Sequence, residues 1–134
     1  MKKIFTNGCF DVLHRGHLEL FEYAKSFGHL CVGVDSDEKV RRDKGMNRPY
    51  NLLGDRIKML ESLRSIDEVH SFNDTQGLEN LIKEISPDIL VIGSDWKGKK
   101  VVGEQHAKEL RFFERIPGYS TSKILEYDYY RLLK

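Results

Sequence analysis

Short apolar runs alternate along this chain with longer stretches in which apolar residues recur every three or four positions. Ile4-Phe5-Thr6, Leu30-Cys31-Val32-Gly33-Val34, Val69 to Phe72 and Ile89-Leu90-Val91-Ile92 are the short runs, each closed by a polar residue or glycine. They predict strands. Leu20, Ala24 and Phe27 share one face of a helix predicted over Leu18 to Phe27, with Gly28 as its stop. Leu53, Ile57 and Leu60 repeat at i, i+4 and i+7 and predict a second helix. Leu78, Leu81, Ile82 and Ile85 predict another, ended by Pro87. Asp35 to Asn51 is polar, rich in Lys and Arg, and holds Gly45 and Pro49, so it reads as a loop or a partly helical flap. Further on, Gln105 to Leu110 reads as helix and Phe112-Phe113 as strand. Ser120 reads as the cap of a last helix running into Tyr127–Leu133.

Strands that are apolar on both faces and alternate with amphipathic helices imply a parallel sheet covered on both sides, an α/β fold of three layers, α/β/α. No repeat, low-complexity segment or linker interrupts the pattern, so a single domain over 1–134 is expected. Ligands of such folds bind beyond the carboxyl ends of the strands. That directs attention to Asn7–His17, Asp35–Pro49, Gly93–Lys99 and Pro117–Ser122.

Composition changes this picture little. The 134 residues are 40% hydrophobic and 32% charged, an ordinary globular balance, and the net charge of +1 gives no overall pull toward nucleic acid or an anionic membrane. No apolar segment approaches the roughly 20 residues that span a bilayer, and the run at Ile4-Phe5 is too short for a signal peptide. Cys9 and Cys31 lack CxxC spacing. They are expected to be buried free thiols in a reducing, cytoplasmic setting, the alternatives being a disulfide or a catalytic thiol.

The chemistry concentrates where the first strand enters the first helix, in Thr6-Asn7-Gly8-Cys9-Phe10-Asp11-Val12-Leu13-His14-Arg15-Gly16-His17. A helix N-terminus presents unpaired N–H groups and partial positive charge, which favours phosphate. Gly16 lets backbone approach a ligand closely, and two imidazoles add donors for charge developing on phosphoryl oxygens. The bland alternative is a turn with two surface histidines. A zinc site is a third reading, but Cys or carboxylate partners at ligand spacing are missing, so no side chain is expected to ligate metal. Neither GxxxxGK[ST] nor GxGxxG is present, which excludes a P-loop and a dinucleotide fingerprint. Near Gly93, Trp96 either stacks on a ligand or belongs to the core.

Phe5-Thr6-Asn7-Gly8-Cys9-Phe10-Asp11 with His14-Arg15-Gly16-His17 resembles the cytidylyltransferase-like nucleotidyltransferase superfamily. Tyr119-Ser120-Thr121-Ser122 resembles the Ile-Ser-Thr-Thr-like run that opens the family's last helix. The resemblance spans roughly Lys3 to Leu125. It implies a Rossmann-like sheet of the HUP type and transfer of a nucleoside monophosphate from an NTP to a phosphorylated small molecule, with release of pyrophosphate. By this resemblance His14, His17 and Lys44 are catalytic. Thr6, Asn7, Gly8, Phe10, Gly16, Gly93, Asp95, Ser120 and Thr121 take the nucleotide, and Asp11, Arg64 and Arg115 the acceptor. Arg41 and Arg42 stay open. Asp11 has a turn or capping role as its alternative, Lys44 a solvated basic loop, and Arg64 a helix-terminal charge. Mg²⁺ is expected with the NTP, and a homodimer is expected from family habit.

Two branches of the family share features with the chain. Arg41-Arg42-Asp43-Lys44-Gly45, Arg48-Pro49-Tyr50-Asn51 and Val101-Val102-Gly103-Glu104 resemble heptose 1-phosphate adenylyltransferases. Arg115-Ile116-Pro117-Gly118-Tyr119-Ser120-Thr121 and Asp95-Trp96-Lys97-Gly98-Lys99 resemble glycerol 3-phosphate cytidylyltransferases. ATP with a sugar 1-phosphate is favoured, and CTP with glycerol 3-phosphate is the alternative. From another class, a nucleotide-binding regulatory module without turnover is the competing reading.

Overall fold

The computed structural model describes residues 1–126. Five strands form one sheet: β1 (Lys3–Gly8), β2 (His29–Asp35), β3 (Glu68–Phe72), β4 (Ile89–Gly93) and β5 (Glu109–Phe113), in the order β3-β2-β1-β4-β5. Every pairing is parallel, with Phe5 opposite Cys31 and Leu90, Cys31 opposite Glu68, and Leu90 opposite Leu110. Four helices connect the strands: α1 (Arg15–Lys25), α2 (Asp37–Lys44), α3 (Leu53–Glu61) and α4 (Thr75–Ile85). The expected three-layer α/β architecture is the one observed.

Alternation along the buried strands feeds two cores. Ile4, Leu30, Val32, Ile89 and Val91 face Phe21 and Ala24 of α1 and Leu60 of α3. Phe5, Cys31 and Leu90 face Leu78 and Ile82 of α4, with Val101 beside them. Because β1 leads outward to β2 and β3, while the chain then returns to β4 on the other side of β1, the strand order reverses between β1 and β4. The carboxyl ends of those strands diverge there into a crevice.

The flap is partly helical, one of the two readings expected for it, and one other element differs from expectation. The helix of the flap, α2, is capped by Ser36, whose hydroxyl accepts the Lys39 N–H at 3.1 Å. Gln105 to Leu110 is not helical: a single 3₁₀ turn at Glu104–His106 gives way to β5. Pairing with β4 satisfies that backbone, and tertiary pairing overrides local propensity. Ser120 caps the last helix as expected, its Oγ accepting the Lys123 N–H at 3.0 Å over a helix at residues 121–126. The aromatic tail Tyr127–Leu133 lies outside the described residues.

Cys31 is buried in β2, and burial, then Glu68, pushes its thiol up to about 12. Cys9 stands just past β1, half-buried, its thiol also raised by burial. Both are free. No helix among the described residues is long and apolar enough to cross a membrane.

Candidate active site

A cleft of about 470 Å³ opens at the carboxyl ends of β1 and β4. The first helix supplies its most unusual feature. His14 is the N-cap of α1, and its Nδ1 accepts the Gly16 N–H at 3.0 Å. In return the Nδ1 of His17 accepts the His14 N–H at 3.2 Å. This is a capping box built from two imidazoles where serine and glutamate are usual. The rings stack with centroids 3.9 Å apart and planes 27° from parallel. A Cβ on residue 16 would lie 2.8 Å from the His14 ring, so the glycine between the histidines is what lets His14 fold back onto the helix end.

The capping has an electrostatic consequence. Each Nδ1 lone pair is engaged as an acceptor, which puts the proton of the neutral ring on Nε2 and leaves Nε2–H as the donor. Burial lowers His17 to about 4, helped by the charges of His14, Lys44 and Arg115. Burial, then Arg115, lowers His14 as well. Both rings are therefore neutral donors at pH 7. Phe10 sets the floor beneath them, edge-on to His17 at 5.7 Å and to Phe21 at 4.9 Å.

The loop between β1 and α1 is strained and held from three directions. Phe10 and Val12 have φ of 50° and 51°, a region that costs a β-branched residue such as Val12 most. From the segment after α2, the N–H groups of Tyr50 and Asn51 donate to the two carboxylate oxygens of Asp11 at 2.5 and 2.9 Å. From the last helix, the Thr121 hydroxyl reaches the carbonyls of Asp11 at 2.6 Å and Val12 at 3.1 Å. From α3, the Arg56 guanidinium, 1% exposed, donates to the carbonyls of Cys9, Asp35 and Asn51 and to the Asp37 carboxylate, all within 2.9 Å. Arg56 thus ties the ends of β1 and β2 to α2. Nothing local in the sequence marks Arg56 for this part.

Most of the expected site residues line this cleft: Asn7, Gly8, Phe10, His14, Gly16, His17, Lys44, Gly93, Asp95, Arg115, Ser120 and Thr121. Trp96 lines it too and is 43% exposed, so it is not a core residue. Asp95 pairs with Arg115 at 3.4 Å across the rim. Three expected site residues are placed differently from the rest. Thr6 is 1% exposed in the middle of β1 and belongs to the sheet interior, not to the nucleotide surface. Asp11 lines the cleft, but its carboxylate is buried and accepts the Tyr50 and Asn51 N–H groups, an arrangement that anchors the turn. Arg64 lies beyond α3, which ends at Glu61, and just before β3, so it sits at the amino edge of the sheet, opposite the cleft. Arg41 and Arg42 are also outside the lining, and Arg42 donates to the Asn73 carbonyl.

Two cations in the lining were not singled out from the sequence. Lys39 stands 2.7 Å from Asp43 and 3.7 Å from Asp35, whose carboxyl is raised by burial. Arg48 is mostly buried, 3.7 Å from Asp11, and its Nε and one Nη have no hydrogen-bond partner among the described residues. The Arg-Pro step at 48–49 was visible, but nothing local in it says that the side chain turns inward.

The model of the cytidylyltransferase-like family matches residues 5–127. The chain is 47% identical over 126 residues to the bifunctional protein HldE of Sulfurimonas denitrificans, an alignment covering 93% of this chain and 26% of that protein. It is 49% identical over 124 residues to the bifunctional protein HldE of Nitratiruptor, covering 92% and 27%. The chain therefore spans about a quarter of the length of these curated relatives. Among solved structures, the lipopolysaccharide core biosynthesis protein of Thermoplasma volcanium matches with a TM-score of 0.68 at 23% identity, over 90% of this chain and 99% of that one. Pantoate-beta-alanine ligase of Francisella tularensis matches with a TM-score of 0.59 at 17% identity, over 87% and 61%. Both structural likenesses speak for the fold.

Proposed function

The chain belongs to the cytidylyltransferase-like family of nucleotidyltransferases, and from that premise we propose that it transfers AMP from ATP to heptose 1-phosphate and releases pyrophosphate. The reaction is that of the adenylyltransferase domain of HldE, and the high identity to HldE proteins over nearly the whole of this chain favours that branch over CTP with glycerol 3-phosphate. The observation that carries the reading is the reciprocal imidazole cap of α1, facing the same cleft as Ser120 and Thr121 at the start of the last helix.

An oxygen of the acceptor phosphate attacks the α-phosphorus in line, and the bond from that phosphorus to the bridging oxygen breaks as pyrophosphate leaves. The attacking phosphate is already an anion, so no general base is required, and catalysis rests on positioning and charge stabilisation. The Nε2–H groups of His14 and His17 donate to the phosphoryl oxygens. Being neutral and already oriented by Gly16 and His14 backbone, they need no reorganisation as charge develops. Lys44, Lys39 and Arg48 supply cationic charge on the side of α2, and Arg115 from beyond β5. The Arg48 nitrogens that are unpartnered among the described residues favour it as a phosphate ligand. Asn7, Gly8, Phe10, Gly16, Gly93, Asp95, Ser120 and Thr121 form the nucleotide surface.

Family members generally use divalent cations. We assign Mg²⁺ to the triphosphate. Asp35 is matched by Lys39 and Asp95 by Arg115, while Asp11 is buried, so the cleft fits an ion that arrives on phosphate oxygens and keeps its waters. The region is proposed to act as one domain, in the cytoplasm, and as a homodimer; a monomeric mass by sedimentation contradicts the last point. Pyrophosphate release measured with each NTP against a panel of heptose 1-phosphate, glycerol 3-phosphate and phosphocholine tests the substrates. Release that requires ATP and heptose 1-phosphate together is expected. Release with CTP and glycerol 3-phosphate alone overturns the substrate assignment, and nucleotide binding without release from any pair supports a regulatory module.

A further inference from the structure

At the opposite end of the sheet from the cleft, the first residues of β2 and β3 bring together a set of donors that the transfer reaction does not use. Cys31 is in register with Glu68, and His29, two residues earlier on β2, lies on the same face. The Glu68 Oε2 is 2.5 Å from His29 Nε2 and 3.4 Å from Cys31 Sγ, and the three ligand atoms all lie within 4.8 Å of one another. His70 holds the second oxygen of Glu68 at 3.2 Å. A recess of about 260 Å³ opens beside Cys31, Glu68 and His70, with Glu84 of α4 and Lys3 of β1 on its walls.

We propose that His29, Cys31 and Glu68 form a binding site for a borderline-soft divalent cation, Zn²⁺ by its donor chemistry, that clamps edge strand β3 to β2. Imidazole nitrogen, thiolate sulfur and carboxylate oxygen are the ligands Zn²⁺ takes, whereas Mg²⁺ and Ca²⁺ demand oxygens. Tetrahedral Zn²⁺ with bonds of about 2.0–2.3 Å keeps its ligand atoms roughly 3.5 Å apart, a spacing these atoms reach by small side-chain adjustments. The supporting groups are in place as well. Asp67 Oδ2 lies 3.8 Å from the other ring nitrogen of His29, a short shift from the hydrogen bond by which a carboxylate orients a metal-bound imidazole, and His70 steadies Glu68. His29 and Glu68 are half-exposed and Cys31 buried, so the ion enters from solvent while its softest ligand is shielded. On binding, the Cys31 thiol gives its proton to solvent and the sulfur bonds the metal. Three protein ligands leave a fourth position for water. The site does not depend on the proposed transfer reaction.

Titration of the full chain with Co²⁺, followed by electronic absorption and then displacement by Zn²⁺, tests the site. A thiolate-to-cobalt charge-transfer band is expected in the unaltered protein and in Cys9→Ser and His17→Ala, and is expected to vanish in Cys31→Ser. His29→Ala and Glu68→Gln change half-exposed side chains and keep the test decisive if Cys31→Ser fails to fold. Each is expected to weaken Zn²⁺ binding by at least about tenfold, the loss seen for supporting residues alone. No charge-transfer band, a band that survives Cys31→Ser but not Cys9→Ser, or affinity that falls only in His17→Ala overturns the proposal.

Discussion

The two ends of the sheet each gather a pair of histidines, and they do so in opposite ways. At the carboxyl end, His14 and His17 are pressed against each other and against Phe10, with each Nδ1 turned onto a backbone N–H. Burial and nearby cations hold His17 down to about 4. At the amino end, His29 and His70 flank one carboxylate and stand half-open to solvent, and Glu68 is held below the usual carboxylate range by His29 first. The same side chain is thus a fixed neutral donor in one place and a partner of an anion in the other. What it faces decides, and what it faces is set by the backbone: a glycine between two histidines on a helix start, against alternate positions on two paired strands. The first arrangement suits an anionic ligand, the second a cation.

Arginines sharpen the same contrast and give the largest expected effect. Arg56 binds four groups on three chain segments beneath the cleft, while Arg64 is exposed at the far edge. Arg56→Leu strands the Asp37 carboxylate and three carbonyls and is expected to cost about 3–5 kcal/mol, read as a lowered urea midpoint. Arg64→Ala is expected to stay within about 0.5 kcal/mol of the parent and to leave kcat/KM unchanged. Equal effects for the two break the distinction between the ends.

For activity, His17→Ala is expected to lower kcat by about 10²–10³-fold, the usual loss for one preorganised donor to a developing oxyanion. His29→Ala is expected to leave it at the parent value. Steady-state pyrophosphate release makes both comparisons.

The histidine pair also carries a pH signature. An unfolded histidine takes its proton near pH 6.5, but folded His17 does so only near 4. Between these values the unfolded chain binds a proton that the folded one refuses, so stability is lost as pH falls from about 6.5 toward 4. His17→Gln removes this dependence. The stability advantage of the parent over the variant is expected to shrink by about 2 kcal/mol from pH 7 to pH 4.5 in urea titrations; a constant difference contradicts the burial argument.

Among the changes that carry a cost, the smallest is expected at the strained loop. Thr121→Val deletes the hydroxyl that holds the Asp11 and Val12 carbonyls and is expected to cost about 1 kcal/mol and to raise KM for ATP. Thermal unfolding and initial rates read the two consequences.

What could be read from the sequence divides along the range of the interactions involved. The strands, α1, α3 and α4 follow from local periodicity, and the histidine motif from spacing within four residues. The roles of Arg56 and Asp11 do not, because their partners lie up to 47 residues away. The 105–110 segment misleads because the unpaired edge of β4, not its own propensity, decides its structure. Arg64 matches a family arginine in sequence, but α3 ends three residues before it, and the chain has already turned toward the amino edge. The cluster at His29, Cys31 and Glu68 needs the register of β2 on β3, which a single strand's sequence does not carry.

The central claim is nucleotidyl transfer within the cleft at the end of β1 and β4. ATP labelled at the α-phosphate, incubated with heptose 1-phosphate, Mg²⁺ and the protein, tests it most directly. The label is expected in an ADP-heptose product, and its transfer is expected to slow by about 10²–10³-fold in His17→Ala. Label that stays in ATP with every phosphorylated acceptor, or that moves equally fast in His17→Ala, contradicts it.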